Sequence, residues 1–508
     1  MDKAHAALAS VATELRRRAT AAKARAIADI LIAQALMADD PSLYAAVTDK
    51  IRAGYTAPHA IHEALATYRE AFLAGGDYLA ERVADLDDVR DRAVAATLGQ
   101  PMPGIPEPGH PYVLAARDLA PADTAGLDPT VVLALVTEEG GPTSHTAIVA
   151  RSLGIPAVVR CVGVLGIEAA ATVAVDGTTG EVRVNPDAAL VVDLRAKEEQ
   201  RRIRLAGSHG PGRTADGHAV ALLANIGSAS DLTGEGGAGA EGVGLFRTEL
   251  LYLDRATSPG LAEQVAAYRA VFDAAAGRPV VVRTLDAGAD KPLSFLRQAE
   301  EPNPALGIRG LRLGFQQPEV LHTQLVAIAT AARDSGANVR VMAPMVATPA
   351  EAQLFATRCR VAGLSTVGVM VEVPSAALRA SALLNEVDFL SIGTNDLSQY
   401  TFAADRMCGA LAELLDPWQP ALLSLIAACG EAGRAAGKPV GVCGEAASDA
   451  TLAPVLVGLG VTSLSMSPRA IPAVREALAG VTLDECRRRA RAALDAPDAL
   501  GARAATAP

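Results

Sequence analysis

Hydrophobic residues recur every three or four positions through the first hundred residues and gather into short unbroken runs afterwards. From Asp2 to about Gly99 the spacing is helical: Leu8, Val11 and Leu15, then Ala26-Ile27-Ala28-Asp29-Ile30-Leu31, then Glu63 to Glu81. Breaks at Asp39-Asp40-Pro41, Gly54 and Gly75-Gly76 divide this region (1–100) into three or four helices, expected to pack as a bundle. Gln100 to His110 repeats proline and glycine and reads as a linker. From there to about residue 186 the pattern alternates. Val113–Ala115, Val131–Val136, Ala157–Val159, Val173–Val175 and Val182–Val184 are strand candidates, with a short helix over Pro121–Gly126. This predicts a compact α/β domain over 111–186. The stretch 187–210 is charged and helical up to Leu205, so it is expected to be a solvent-exposed connecting helix.

The remaining residues, 216–508, hold eight apolar runs separated by helical segments such as Leu261–Ala276 and Thr323–Ala332. The runs are Val220–Ala224, Val243–Phe246, Val280–Val282, Val339–Met342, Val367–Val371, Phe389–Ile392, Val440–Val442 and Ser463–Met466. Eight β-runs alternating with helices predict a (β/α)8 TIM-type barrel. An open doubly wound sheet is the alternative, but polar residues follow these runs on one end, as they do where a barrel builds a site. The fold class is therefore α/β.

Composition narrows the partners. The 508 residues are half hydrophobic, only 3% aromatic and carry a net charge of -11, which argues against nucleic acid. An acidic surface fits a basic protein partner and equally fits ordinary solubility. Six cysteines lie scattered without a C-x-x-C pair, which points to a reducing cytoplasmic setting. No stretch reaches the ~20 uninterrupted apolar residues of a membrane span, and no signal-peptide pattern opens the chain.

Two places carry chemistry. His145 follows the glycine turn Gly140-Gly141 at the start of an apolar helix pattern, where free N–H groups and the positive helix end favour an anion. In the barrel region Arg247, Arg283, Glu372, Asn395, Asp396 and Cys443 all fall at or just beyond strand ends, and Arg406 lies further along. Arginines grip carboxylate or phosphate with a planar fork. Glu372 and Asp396 could share a divalent cation such as Mg²⁺ with substrate oxygens. Cys443 could move a proton to or from carbon, though a cysteine after an apolar strand is as often an inert core residue.

Longer motifs go further. They are Gly140-Gly141-Pro142-Thr143-Ser144-His145-Thr146, Gly242-Val243-Gly244-Leu245-Phe246-Arg247-Thr248-Glu249 and Arg283-Thr284-Leu285-Asp286-Ala287-Gly288-Ala289-Asp290-Lys291. They continue as Asn303-Pro304-Ala305-Leu306-Gly307-Ile308-Arg309, Val369-Met370-Val371-Glu372-Val373-Pro374, Ser391-Ile392-Gly393-Thr394-Asn395-Asp396-Leu397 and Val442-Cys443-Gly444-Glu445. In this collinear set the chain resembles enzyme I of the bacterial sugar phosphotransferase system, a phosphoenolpyruvate–protein phosphotransferase.

The resemblance implies a barrel that binds phosphoenolpyruvate, a swivelling phosphohistidine domain, and a helical region that docks the small carrier protein HPr. It implies that His145 is the tele-phosphohistidine, Cys443 the proton donor to the pyruvate enolate, and Thr124 a hydrogen-bond partner of His145. Arg247, Arg283, Asn395, Asp396 and Arg406 match substrate-binding positions, and Glu372 and Asp396 match Mg²⁺ ligands. Family members are dimers through the barrel, so a homodimer is expected. Family chains usually open with a glycine-containing strand of the histidine domain, whereas this sequence begins inside the helices. The expectation is a start downstream of that strand or a domain with one strand fewer. Two other readings compete: a phosphoacceptor that regulates a partner without turning over, and a synthase or dikinase using ATP. The second lacks a Gly-rich P-loop pattern.

Overall fold

The computed structural model describes residues 2–506 apart from 22–24, 75–82, 101–103, 107, 120–126, 141–145, 148–149, 151–152, 178, 234–236, 253–254, 256, 289–292, 294, 297–300 and 407–408. The chain forms two compact units, Met1–Ala188 and Ala189–Pro508.

The first unit opens with five described helices, Asp2–Ala21, Arg25–Ala38, Pro41–Arg52, Ala57–Ala74 and Val83–Leu98. That exceeds the three or four expected from the breaks, because the residues before Arg25 carry neither the glycine nor the proline that marks the other boundaries. The helical period puts Leu8, Val11, Leu15, Val47, Ile61 and Val89 on inward faces, where they form one core. A three-stranded parallel sheet follows, β1 (Tyr112–Ala116), β2 (Val132–Thr137) and β3 (Ala157–Val158), with β2 in the middle. β4 (Val173–Asp176) and β5 (Glu181–Val184) form an antiparallel pair. The connecting segment is a helix, Ala188–Ala206, whose charges face solvent in pairs such as Arg201–Glu198 and Arg202–Glu199.

The second unit is a closed barrel of eight parallel strands, so each run that the apolar pattern marked becomes a barrel strand. These are β6 (Ala221–Ile226), β7 (Val243–Arg247), β8 (Val280–Arg283), β9 (Val339–Ala343), β10 (Val367–Val371), β11 (Phe389–Ile392), β12 (Val440–Val442) and β13 (Ser463–Met466). Strand alternation divides the burial. Val243, Val280, Val282, Val341, Val369 and Leu390 face the surrounding helices in the large core. Leu245, Val281, Met342, Met370 and Phe389 fill the interior together with Cys443. Prolines at the first turn start the helices Pro318–Ser335, Pro349–Val361 and Pro420–Ala436, where their missing N–H costs nothing. Among the described residues no helix is long and apolar enough to cross a membrane.

Candidate active site at the barrel mouth

Parallel pairing gathers all eight strand C-termini at one mouth. Register then sets the level of each group: Arg247 pairs with Arg283, Arg283 with Met342, Val371 with Ile392, and Ile392 with Val442. Arg247 and Arg283 are thus the last residues of adjacent strands. Glu372 and Cys443 are the first residues past β10 and β12.

A chain of alternating charges runs through this mouth. Arg283, 9% exposed, reaches Glu249 (Nη2 to Oε1, 3.0 Å) and Asp286 (Nη1 to Oδ2, 3.4 Å). Asp286 is also held by Arg309, whose Nε donates to Oδ1 at 3.2 Å and Nη2 to Oδ2 at 3.3 Å. Arg309 in turn donates from Nη1 to Asp396 Oδ1 at 3.0 Å, and Arg406 lies 3.7 Å from Asp396 Oδ2. Arg309 and Asp286 are each 1% exposed. Removing one member of this chain would leave its buried neighbours with less compensation.

Electrostatics follow from this crowding. Burial alone would lower the Arg283 guanidinium, but the carboxylates of Glu249, Asp286 and Glu372 outweigh it and raise its pKa above the ordinary value. Arg247 keeps an exposed surface, yet partial loss of solvation and the like charge of Arg283 hold it below the ordinary value. Glu372, 2% exposed, is pushed up to about 8 by burial and by the like charges of Asp396 and Asp286. Its Oε2 accepts from the Met345 N–H at 2.8 Å. A Cβ at Gly393 would stand 2.7 Å from Glu372 Cγ and 2.9 Å from Oε1, so only glycine leaves room for this carboxylate. Burial pushes the Cys443 thiol up to about 11, with Glu372 adding to the rise and a hydrogen bond with Ser391 opposing it. The thiol therefore keeps its proton at neutral pH.

Neighbouring polar side chains fix the backbone. Asn225, on β6, donates to the carbonyls of Cys443 (3.0 Å) and Ser465 (3.2 Å). Asn395 Oδ1 accepts from the Glu445 N–H at 3.0 Å, which joins the first turn of the helix Thr394–Phe402 to the segment after Cys443. Gln324 accepts from Leu285 N–H at 2.9 Å and donates to Thr248 Oγ1 at 3.1 Å, while Thr248 donates to the Arg283 carbonyl at 2.9 Å.

The structure thus brings Arg283, Glu372, Asp396, Arg406 and Cys443 to one mouth. Arg247 stands on its rim, where a cleft is lined by Asn225, Asp231 and Glu249 as well. His145 and Thr124 lie outside the described residues. Beside His145, Thr146 is 1% exposed and donates to Asp118 Oδ1 at 3.3 Å. Sequence reasoning did not assign Glu249, Asp286, Arg309 or Asn225. The first three close or sit within quoted motifs, and Asn225 is a polar residue inside an apolar strand run. Those were the available signals.

Among the described residues no group of three or more His, Cys, Asp or Glu side chains forms a metal cluster. A magnesium ion usually keeps only one or two protein carboxylates, so Glu372 and Asp396 suffice by number. Two neighbouring buried carboxyl groups, one of them raised by burial and by the other's charge, are a donor set that a divalent cation suits.

Three family models match the chain: the N-terminal domain of PEP-utilising enzymes over residues 1–82, their mobile domain over 108–180, and their PEP-binding domain over 206–483. A phosphoenolpyruvate-protein phosphotransferase of Streptomyces coelicolor is 57% identical over 505 residues, spanning 99% of this chain and 91% of the relative. Those of Staphylococcus carnosus and Bacillus subtilis are 41% and 40% identical, spanning 93% and 90% of this chain and 86% and 83% of theirs. The chain belongs to the phosphoenolpyruvate–protein phosphotransferase family of PEP-utilising enzymes.

Proposed function

We propose that this protein transfers the phosphoryl group of phosphoenolpyruvate to Nε2 of His145, and from there to a histidine of an HPr-type carrier, the first step of the sugar phosphotransferase system. The observation that carries this reading is the barrel mouth. Arginines Arg247, Arg283 and Arg406 stand at a rim that also holds two buried carboxylates and a protonated thiol.

Arg247 and Arg283, side by side on adjacent strands, would hold the phosphate and spread the charge of the group in flight, which is most of what phosphoryl transfer asks of a protein. Arg406 and Asn395 would hold the rest of the molecule. Neutral His145 attacks phosphorus in line, the bond to the enol oxygen breaks, and its electrons leave with the pyruvate enolate. Cys443 then gives its proton to the methylene carbon. A thiol held protonated at neutral pH is suited to that step. Glu372 and Asp396 would hold Mg²⁺, which when bound neutralises phosphate charge.

Carrier docking on the helices of residues 1–100 and dimerisation through the barrel belong to the same reading. So does a cytoplasmic setting, which suits five free thiols among the described residues. Incubation with Mg²⁺ and labelled phosphoenolpyruvate tests it. The expected result is an acid-labile, base-stable label, lost in His145→Ala and passed on to an added HPr over many turnovers. Label that persists in His145→Ala would overturn the assignment. A single turnover, or labelling from ATP in place of phosphoenolpyruvate, would overturn the phosphotransferase reading.

A further inference from the structure

Glu249 is absent from every role given above, yet it touches the centre of the site. Its Oε1 accepts from Arg283 Nη2 at 3.0 Å and from the Asp286 N–H at 2.9 Å. Its Oε2 is buried and accepts no hydrogen bond from any of the described residues. The same side chain lines the rim cleft with Arg247, and its charge acts on Arg247 as well as on Arg283. One carboxylate therefore serves two arginines that end adjacent strands and repel each other. Among the described residues of the mouth, Arg247, Arg283, Arg309 and Arg406 stand near the carboxyl groups of Glu249, Asp286, Glu372 and Asp396. Three of these carboxyl groups have a part in the reading above, Asp286 between Arg283 and Arg309, and Glu372 and Asp396 as the proposed cation ligands. Glu249 is the remaining one, and it sits on the arginines meant for the substrate.

We propose that Glu249 is a positioning residue that aims Arg283 through Oε1 and, through its charge, limits how tightly Arg247 and Arg283 hold the substrate anion in the ground state. This deepens, and rests on, the phosphoenolpyruvate reading of the site. Binding that is equal in the ground and transition states adds nothing to turnover at saturation. A counter-charge on the arginine pair restrains that unproductive share while the guanidinium stays aimed.

The test is isotope exchange between phosphoenolpyruvate and labelled pyruvate by the full chain with Mg²⁺, which needs no carrier. Glu249→Gln keeps shape and an acceptor for Arg283 but removes the charge. KM for phosphoenolpyruvate should fall by about threefold or more, with the saturated exchange rate within about twofold of the parent. Glu249→Asp keeps the charge but shortens the reach to Arg283. Its KM should stay within about twofold of the parent while its saturated rate falls, and this holds as an independent test if the glutamine variant does not fold. An unchanged or raised KM in Glu249→Gln overturns the proposal, as does an equal KM shift in both variants. Were the folded parent chain to show no exchange at all, the phosphoenolpyruvate reading itself would fail and take this inference with it.

Discussion

In the barrel, Asp286, Arg309 and Glu372 lie at 1–2% exposure, and each has a charge or hydrogen-bond partner at the mouth. The sheet of the unit that carries His145 is built differently. Three short strands rest on a small core that includes Leu114, Val132, Leu135 and Ile155, and ion pairs such as Arg183–Glu181 are about half exposed. Burying charge costs several kcal/mol per ion, which close partners and hydrogen bonds offset, and a large apolar core keeps water away from such pairs. The barrel has such a core, wrapped around all eight strands. The proposed grip on the anion would therefore lie where charges can be held dry and aimed. On the proposed mechanism the smaller sheet needs only to present the imidazole of His145.

That contrast can be broken experimentally, beginning with the largest effect. Cys443→Ala should reduce exchange with pyruvate by about 10²- to 10⁴-fold while leaving phosphoryl exchange between carrier and His145 nearly intact. Equal losses in the two half-reactions would show that the thiol is not confined to the barrel chemistry. Arg309→Met takes a buried partner from both Asp286 and Asp396, leaving them to Arg283 and Arg406, and should lower the stability of the barrel by roughly 3–5 kcal/mol, read as an earlier calorimetric transition. A shift below about 1 kcal/mol would mean that the alternating charge chain is not dry.

A pH series sharpens the comparison further. The Glu372 carboxyl has a folded pKa near 8 against an ordinary 4.5, so the folded state holds its proton more tightly. Stability is then full below pH 4.5 and declines as pH rises toward 8. With divalent cations chelated, the barrel melting temperature should fall across that window, and Mg²⁺ should restore it most at the alkaline end. A flat profile would mean that burial does not hold the Glu372 proton on. On the connecting helix, Arg201→Ala breaks an exposed pair with Glu198 and should change stability by less than about 0.5 kcal/mol.

Much of the fold was legible because strand alternation and short apolar runs are local signals. All eight barrel strands were marked, and Arg247, Arg283, Glu372 and Cys443 could be placed at strand ends from the runs preceding them. The division between Asp2–Ala21 and Arg25–Ala38 was missed, since no glycine or proline punctuates it. Arg309 was missed as a site residue for another reason. It follows no strand run, and only folding carries it to Asp286 and Asp396, the latter 87 residues away.

The sequence by itself determined the element types, the single histidine in its glycine turn, and the residue kinds at each strand end. These depend on periodicity, on turn chemistry and on side-chain identity, all of which are written locally. Tertiary structure decided the partnerships: Glu249 with Arg283, Asp286 with Arg309, and Asn225 with the carbonyl of Cys443. Barrel closure brings together residues hundreds of positions apart, and burial then sets their protonation. A carboxyl held up to about 8 and a thiol up to about 11 are properties of the closed mouth, produced by lost water and neighbouring charge.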